Sequence, residues 1–282
     1  VAVFSLALAA GGGACAASRR VVYVVDRRTI VSQAHDRAVR ICQRIAEGED
    51  DVLRRVKARL FSLASTDVPL KTVELRGGIV RDDSWSRTPD QPLIVVSTVD
   101  QVGSRLLFRG YGVSDSMKPI HAGLLGNDVL YLLDEVHLSQ PFRETLGAVA
   151  NRYRSWAEQP IATPFAVVEM SATPGSAVPD AFALEEDDRH HEVLASRLRA
   201  SKPAALIAQR PVGFVDELVR QTIELLRRPG ATVGIVVNRV KTARQVHQRL
   251  EELRPGVAHL LTGRMRPFDR ANLDQSLIGR IR

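Results

Sequence analysis

The sequence predicts an α/β protein built on parallel sheets, and three observations carry that expectation. Short apolar runs recur along the chain, at Val21–Val25, Leu93–Ser97, Val129–Leu133 and Phe165–Met170. Each ends in hydroxyl or charged residues: Asp26-Arg27-Arg28-Thr29, Thr98-Val99-Asp100-Gln101, Asp134-Glu135-Val136-His137 and Ser171-Ala172-Thr173-Pro174. Helical spacing of apolar residues fills the intervals between them. Strands covered on both faces read as continuous apolar runs, and ligand chemistry in such sheets gathers at the carboxyl ends of strands. Loop exposure alone explains one or two polar strand ends, but poorly explains four.

The elements run in order from the first residue. The opening Val1–Ala10 is apolar, and Ala14-Cys15-Ala16 has the small residues of a leader cleavage site. No basic segment precedes it, and it has half of the ~20 residues needed to span a bilayer. It is expected to be the end of a buried helix in a chain whose start lies upstream, since there is no initiator Met. Glycines 11–13 and Arg19-Arg20 lead into the first strand. From about Val31 to Leu60, Ala34, Ala38, Ile41, Cys42 and Ile45 keep helical spacing, with a break near Gly48-Glu49-Asp50. Lys71–Leu75 is a second, short strand followed by Arg76-Gly77-Gly78. Those glycines allow a backbone to approach a phosphate closely, or simply make a turn.

Pro89 and Pro92 punctuate the loop before Leu93–Ser97, and a helix is expected over Val102–Phe108 with Arg105 and Arg109 on it. Asp134 and Glu135 then sit at the tip of the Val129–Leu133 strand. A carboxylate pair there can hold Mg²⁺ and orient a water for attack on a phosphate; a strand followed by an acidic helix cap gives the same tetrapeptide. Between Gly175 and Pro203 the chain turns acidic and polar, with Glu185-Glu186-Asp187-Asp188 and His190-His191. This reads as a solvated linker or helix face in preference to a metal site. A helix from Phe214 to Leu226 precedes a strand, Thr232–Val237, which ends in Asn238-Arg239. Val240, Ala243, Val246, Leu250 and Leu253 mark the next helix, Val257–Leu261 is a further strand ending in Thr262-Gly263-Arg264, and a new helix begins before Arg282.

The length of 282 residues suits two domains, and 45% hydrophobic with 25% charged residues fits an ordinary globular protein. The formal charge is +7, and all but five of the 39 basic residues are arginine. Guanidinium groups favour bidentate phosphate contacts, so a nucleic-acid partner fits, although a GC-rich genome enriches arginine as well. Two cysteines, Cys15 and Cys42, are too few for a disulfide framework or a four-ligand zinc site. That usage points to a reducing cytosol.

In this order and at this separation the motifs resemble a superfamily 2 helicase, specifically the type I CRISPR-associated helicase-nuclease, over nearly the whole chain. Asp134-Glu135-Val136-His137 is similar to its DExH-type Walker B motif, and Ser171-Ala172-Thr173-Pro174 to motif III. Tyr23–Val31, Ser97–Gln101 and the continuation Leu138–Phe142 resemble motifs Ia, Ib-Ic and II of that subgroup. The resemblance implies two RecA-like domains binding ATP and Mg²⁺ and acting on single-stranded DNA exposed by a guide-RNA surveillance complex in the prokaryotic cytoplasm, with no membrane. It implies that Asp134 holds the metal on the nucleotide phosphates and Glu135 positions the attacking water. His137 links the nucleotide site to motif III through Ser171 or Thr173, with Ala172 between them; on the residue alone, a structural histidine is the default. Arg27, Arg28, Gly77, Gly78, Thr98, Gln101 and Arg264 are implied backbone contacts that position a strand without reading it. Asn238-Arg239 and Thr262-Gly263-Arg264 are similar to the family's motifs IV and IVa.

The departures from that family are equally specific. The sequence has no G-x-x-x-x-G-K-[ST] loop to cradle phosphates and no Q-x-x-G-R-x-x-R arginine motif. Nor does it carry the family's histidine-aspartate nuclease: His35-Asp36 is a lone dipeptide within a helix. The expected layout is a first RecA-like domain over 1–183 lacking its N-terminal strand and phosphate loop, a linker or insertion over 184–206, and a truncated second domain over 207–282. The resemblance thus implies a helicase core fragment, 3′-to-5′ in polarity and without ATP hydrolysis of its own. Alternatives are another superfamily 2 RNA or DNA motor and a non-catalytic nucleic-acid-binding remnant.

Overall fold

A computed structural model describes residues 2–11, 17–79, 82–172, 181–266, 268–269 and 272–273. Two units divide the chain, Val1–Phe182 and Ala183–Arg282.

The first unit is organised on five parallel strands: β1 (Arg20–Val24), β2 (Lys71–Leu75), β3 (Leu93–Ser97), β4 (Val129–Leu133) and β5 (Phe165–Glu169), in the spatial order β2-β3-β1-β4-β5. The register is unbroken, with Tyr23 level with Val96 on one side and Leu132 on the other. Because successive strand residues point to opposite faces, the apolar runs supply two cores. Val22, Val24, Val95, Tyr131 and Leu133 face one layer of helices; Val21, Val25, Ile94 and Val96 face the other.

The first layer consists of α4 (Val99–Leu106), α5 (Lys118–Gly126) and α6 (Gln140–Ala148), which bury Val102, Leu106, Leu124, Leu125, Phe142 and Leu146. The second consists of α1 (Ala2–Ala10), α2 (Arg28–Glu47) and α3 (Asp51–Phe61), burying Phe4, Leu8, Val31, Ala38, Ile45, Val56 and Leu60. The break between α2 and α3 falls at Gly48, where a Cβ would stand 2.4 Å from Leu53 Cδ1 and 2.7 Å from the Arg44 carbonyl. Asp50 then caps α3 by accepting from the Leu53 amide at 2.9 Å.

Two expectations are corrected here. The opening helix is buried on one face only: Phe4, Ser5, Leu8 and Ala9 pack inward while Val3 is 80% exposed. Repeats of four residues put one stripe against α3 and turn the intervening residues outward. The helix after β3 runs Val99–Leu106 and excludes Arg109, because Phe108 takes a left-handed backbone (φ 60°) that ends it.

The connections diverge around the central strand. The chain leaves β1 across the α2–α3 face but leaves both neighbours, β3 and β4, across the opposite face. A strand whose connections diverge from those beside it opens a crevice at its carboxyl end. By that rule ligand-binding groups are expected around the carboxyl end of β1.

In the second unit, α7 (Glu186–His190) and α8 (Glu192–Arg199) occupy much of the 184–206 segment. Helices α9 (Phe214–Leu225) and α10 (Val240–Leu253) close on Val219, Val246 and Leu250, with Ile235 and Ala258 against them. The strands expected at 232–237 and 257–261 form no ladder among the described residues. Both alternate exposed and half-buried residues in strict period two. They are extended segments with one face on the helices, and backbone pairing requires a neighbour that the pattern alone does not supply. The helix expected before Arg282 and the Thr173-Pro174 tip lie largely or wholly outside the described residues.

Candidate functional site

The carboxyl ends of β1, β4 and β5 assemble the first cluster. Where β4 stops, the Asp134 amide donates to the Val24 carbonyl (2.9 Å), the Met170 amide to Leu133 (2.9 Å) and the Val136 amide to Met170 (3.1 Å). These bonds extend the ladders one residue past the sheet and fix the tip. Asp134 Oδ2 accepts the Tyr23 hydroxyl at 2.5 Å and Oδ1 accepts the Glu135 amide at 2.9 Å. Burial, the bond to Asp134 and the two carboxylates at 134 and 135 all push the Tyr23 phenol well above its ordinary range.

Glu135 sits in the left-handed region, φ 50° and ψ 48°, which costs a non-glycine residue about 1–2 kcal/mol. That torsion turns the chain into a 3-10 turn, Val136–Leu138, and swings His137 back. His137 Nδ1 lies 3.2 Å from Ser171 Oγ and 3.5 Å from Glu135 Oε2. Asp134, Glu135, His137 and Ser171 are therefore one constellation with Tyr23 behind it. Ala172 follows at the tip of the same strand; Thr173 lies outside the described residues.

No group of three or more His, Cys, Asp or Glu suitable for a metal occurs among the described residues. A metal held by protein alone does not fit. Magnesium commonly binds through one or two carboxylates plus substrate phosphates, and the half-buried Asp134 with Glu135 beside it matches that donor set. The phosphate-cradling loop is not in the sequence.

The second cluster occupies the other side of β1. Arg28 lays its guanidinium against Gly77, where a Cβ would stand 3.2 Å from Nη2. Gly78 beside it is exposed at φ 85°. Glu74 accepts from Ser32 (2.8 Å) and Arg76 (2.6 Å), which limits its repulsion of an approaching anion. Gln101 Oε1 accepts from Arg105 Nη1 at 2.7 Å. Arg27 is exposed at the start of α2. Thr98 is only 3% exposed with its hydroxyl enclosed, so its side chain stays beneath the surface that Gln101 reaches. The structure thus gathers Arg28, Gly77, Gly78 and Gln101 along one edge, leaves Thr98 below it, and holds Arg27 exposed in the turn before Arg28.

Other arginines have structural tasks. Arg20, buried at the opposite end of β1, donates to the carbonyls of Pro89 (2.7 Å) and Asn127 (3.0 Å), and burial lowers its pKa. In the second unit, Asn238 and Arg239 are exposed where the 232–237 segment enters α10. Thr262, Gly263 and Arg264 form a turn closed by the Met265 amide on the Thr262 carbonyl, 3.2 Å. His190 Nδ1 lies 2.9 Å from the Glu186 carbonyl within its own helix.

Two participants escaped sequence reasoning. The Tyr23 hydroxyl reaches a carboxylate 111 residues away; the only signal is one polar atom in a run of valines. Tyr111 borders the second cluster from a loop that no periodicity marks.

The sheet and its helices define an α/β fold of RecA-like type, with its polar groups on the carboxyl edge. Among the described residues no helix is long and apolar enough to cross a membrane. No family model, curated protein or solved structure matches the chain.

Proposed function

We propose that the chain carries part of the motor core of an ATP-dependent, 3′-to-5′ single-stranded-DNA helicase of superfamily 2. The specific kind is the type I CRISPR-associated helicase-nuclease, acting in the prokaryotic cytoplasm with a guide-RNA surveillance complex. The observation that carries the reading is the Asp134–Glu135–His137–Ser171 constellation. It places a carboxylate pair at one strand end with His137 between Glu135 (3.5 Å) and the Ser171 hydroxyl (3.2 Å) beyond the next strand. Such a relay is what coupling between nucleotide state and strand movement requires. The cation- and glycine-lined edge across β1 supports a strand-binding role beside it.

In this reading Asp134 would hold Mg²⁺ arriving with ATP, Glu135 would orient the water, and His137 would link the site to Ser171. Bound magnesium would supply charge neutralisation on the phosphates. Tyr23 keeps Asp134 aimed. Arg27, Arg28 and Gln101 hold the phosphodiester backbone of the DNA. In the second unit, the exposed Arg239 and Arg264 would contact nucleic-acid phosphates.

The missing phosphate-loop sequence favours a second reading, a non-catalytic nucleic-acid-binding protein, and one set of measurements separates them. The 282-residue chain is expected to bind fluorescein-labelled single-stranded DNA with an affinity that falls steeply as salt rises, and to show negligible ATP turnover. DNA-stimulated turnover that vanishes in Glu135→Gln would overturn the second expectation. In a longer chain that includes any residues encoded ahead of Val1, DNA-stimulated hydrolysis supports the motor. Its continued absence supports the binding protein, and stimulation by RNA alone points to a different superfamily 2 motor.

A further inference from the structure

The loop between α4 and α5 holds an exposed aromatic ring where two depressions meet. One, of about 150 Å³, contains Arg76, Gly77, Gly78 and Gln101; the other, of about 960 Å³, contains Leu107, Arg109, Lys118 and Phe142; Tyr111 lines both. Its side chain is 61% exposed in a chain with only 5% aromatic residues. The loop is anchored around it. The amides of Leu107, Phe108 and Arg109 donate back to Gly103, Arg105 and Ser104, and the Val113 amide donates to Gly110 at 3.2 Å. Val113 is buried, Gly112 takes φ 64°, and a Cβ on Gly110 would stand 2.8 Å from Val113 Cγ2. A ring presented on a backbone of fixed shape loses little freedom when something stacks on it.

The surroundings select the ligand. Arg28 reaches the Gly77 side of the ring; of the two carboxylates lining that depression, Glu74 is engaged by Ser32 and Arg76 and Asp82 accepts from the Ser84 amide at 2.8 Å. On the other side Arg109 is exposed and makes no ion pair among the described residues, while Lys118 is paired with Asp115 at 2.6 Å. Cations on both flanks of an exposed aromatic suit alternating phosphates and bases, and suit a purely apolar peptide poorly. We propose that Tyr111 is a base-stacking residue for single-stranded DNA, with one phosphate placed over Gly77-Gly78 and a following one beside Arg109. This rests on the strand-binding reading and adds the path the strand takes.

The test uses the 282-residue chain, fluorescence anisotropy, and two labelled 20-mers, oligo(dT) and an abasic strand of the same length. Tyr111→Ala is expected to weaken oligo(dT) binding between about fivefold and a hundredfold, the span for loss of one stacked base, and to leave abasic binding unchanged. Tyr111→Phe, which keeps the ring, is expected to bind both strands within about twofold of the parent. Unchanged oligo(dT) affinity in Tyr111→Ala would overturn the proposal, as would equal losses on both strands, which assign the tyrosine to loop shape. If the parent chain binds neither strand, the strand-binding reading fails and this proposal fails with it.

Discussion

Replacing Tyr23 with Phe removes one oxygen from the centre of the acidic cluster and nothing else of size. The ring keeps its place against the α2–α3 face, while Asp134 Oδ2 loses a donor at 2.5 Å. Hydrogen bonds to charged groups contribute about 1.5–3 kcal/mol. Asp134 is half-buried, so water partly replaces the phenol and the lower end applies, about 1.5 kcal/mol. For a unit of this size that corresponds to roughly 3–6 °C in Tm. Urea unfolding followed by tryptophan fluorescence reads it, because Trp85 is 1% exposed and Trp156 is 69% exposed, so the change on unfolding comes mainly from Trp85. A double-mutant cycle with Asp134→Ala isolates the pair; a coupling near 1 kcal/mol or more is expected. Coupling indistinguishable from zero would refute the reasoning, since the phenol would then not be holding the carboxylate.

The same geometry sets three further outcomes. Glu135→Gly relieves a left-handed torsion and is expected to raise unfolding stability by about 1 kcal/mol, whereas Glu135→Ala, which keeps the strain, gains nothing; equal midpoints for the two variants would contradict this. Tyr23 and Tyr131 both have raised phenol pKa values, chiefly from burial. Folding therefore holds those protons more tightly, and their stabilisation is complete below the ordinary tyrosine pKa of about 10 and lost as pH rises above it. Urea midpoints should fall between pH 9 and pH 11, less so in Tyr23→Phe, and a parallel fall in parent and variant would count against Tyr23. Leu133→Ala empties a fully buried site beneath the acidic tip, and chemical denaturation should show a loss of about 2–5 kcal/mol.

Much of the first unit was legible because burial on both faces leaves a coarse mark. Runs such as Leu93–Ser97 and Val129–Leu133 admit few other readings, and Gly48 with Asp50 marks a helix boundary by local chemistry alone. The site was legible where its residues sit at strand ends, as Asp134, Glu135 and His137 do. It was illegible where partners meet only through the sheet: the reach of Tyr23 to Asp134 depends on β1 lying beside β4 in one register. Thr98 illustrates the reverse, a hydroxyl at the expected strand end that the start of α4 covers. In the second unit the alternation at 232–237 and 257–261 was present in the sequence, but period two reports that one face is covered and says nothing of a paired neighbour. The end of α4 was misplaced because Leu107-Phe108 continues an apolar run into a backbone that only torsion angles reveal.

The central place of β1 makes the chain unequally tolerant of changes in length. Adding one residue within 20–24 would flip every later side chain of the strand to the opposite face. Tyr23 would then leave Asp134, and Arg28 would leave the Gly77 edge in the same event. An added residue in the exposed loop 157–160 ahead of β5 would be absorbed at the surface. Insertion scanning should therefore find two separate side-chain clusters disrupted together at β1 and neither disrupted at that loop, a sensitivity set by strand order and independent of any side chain's chemistry.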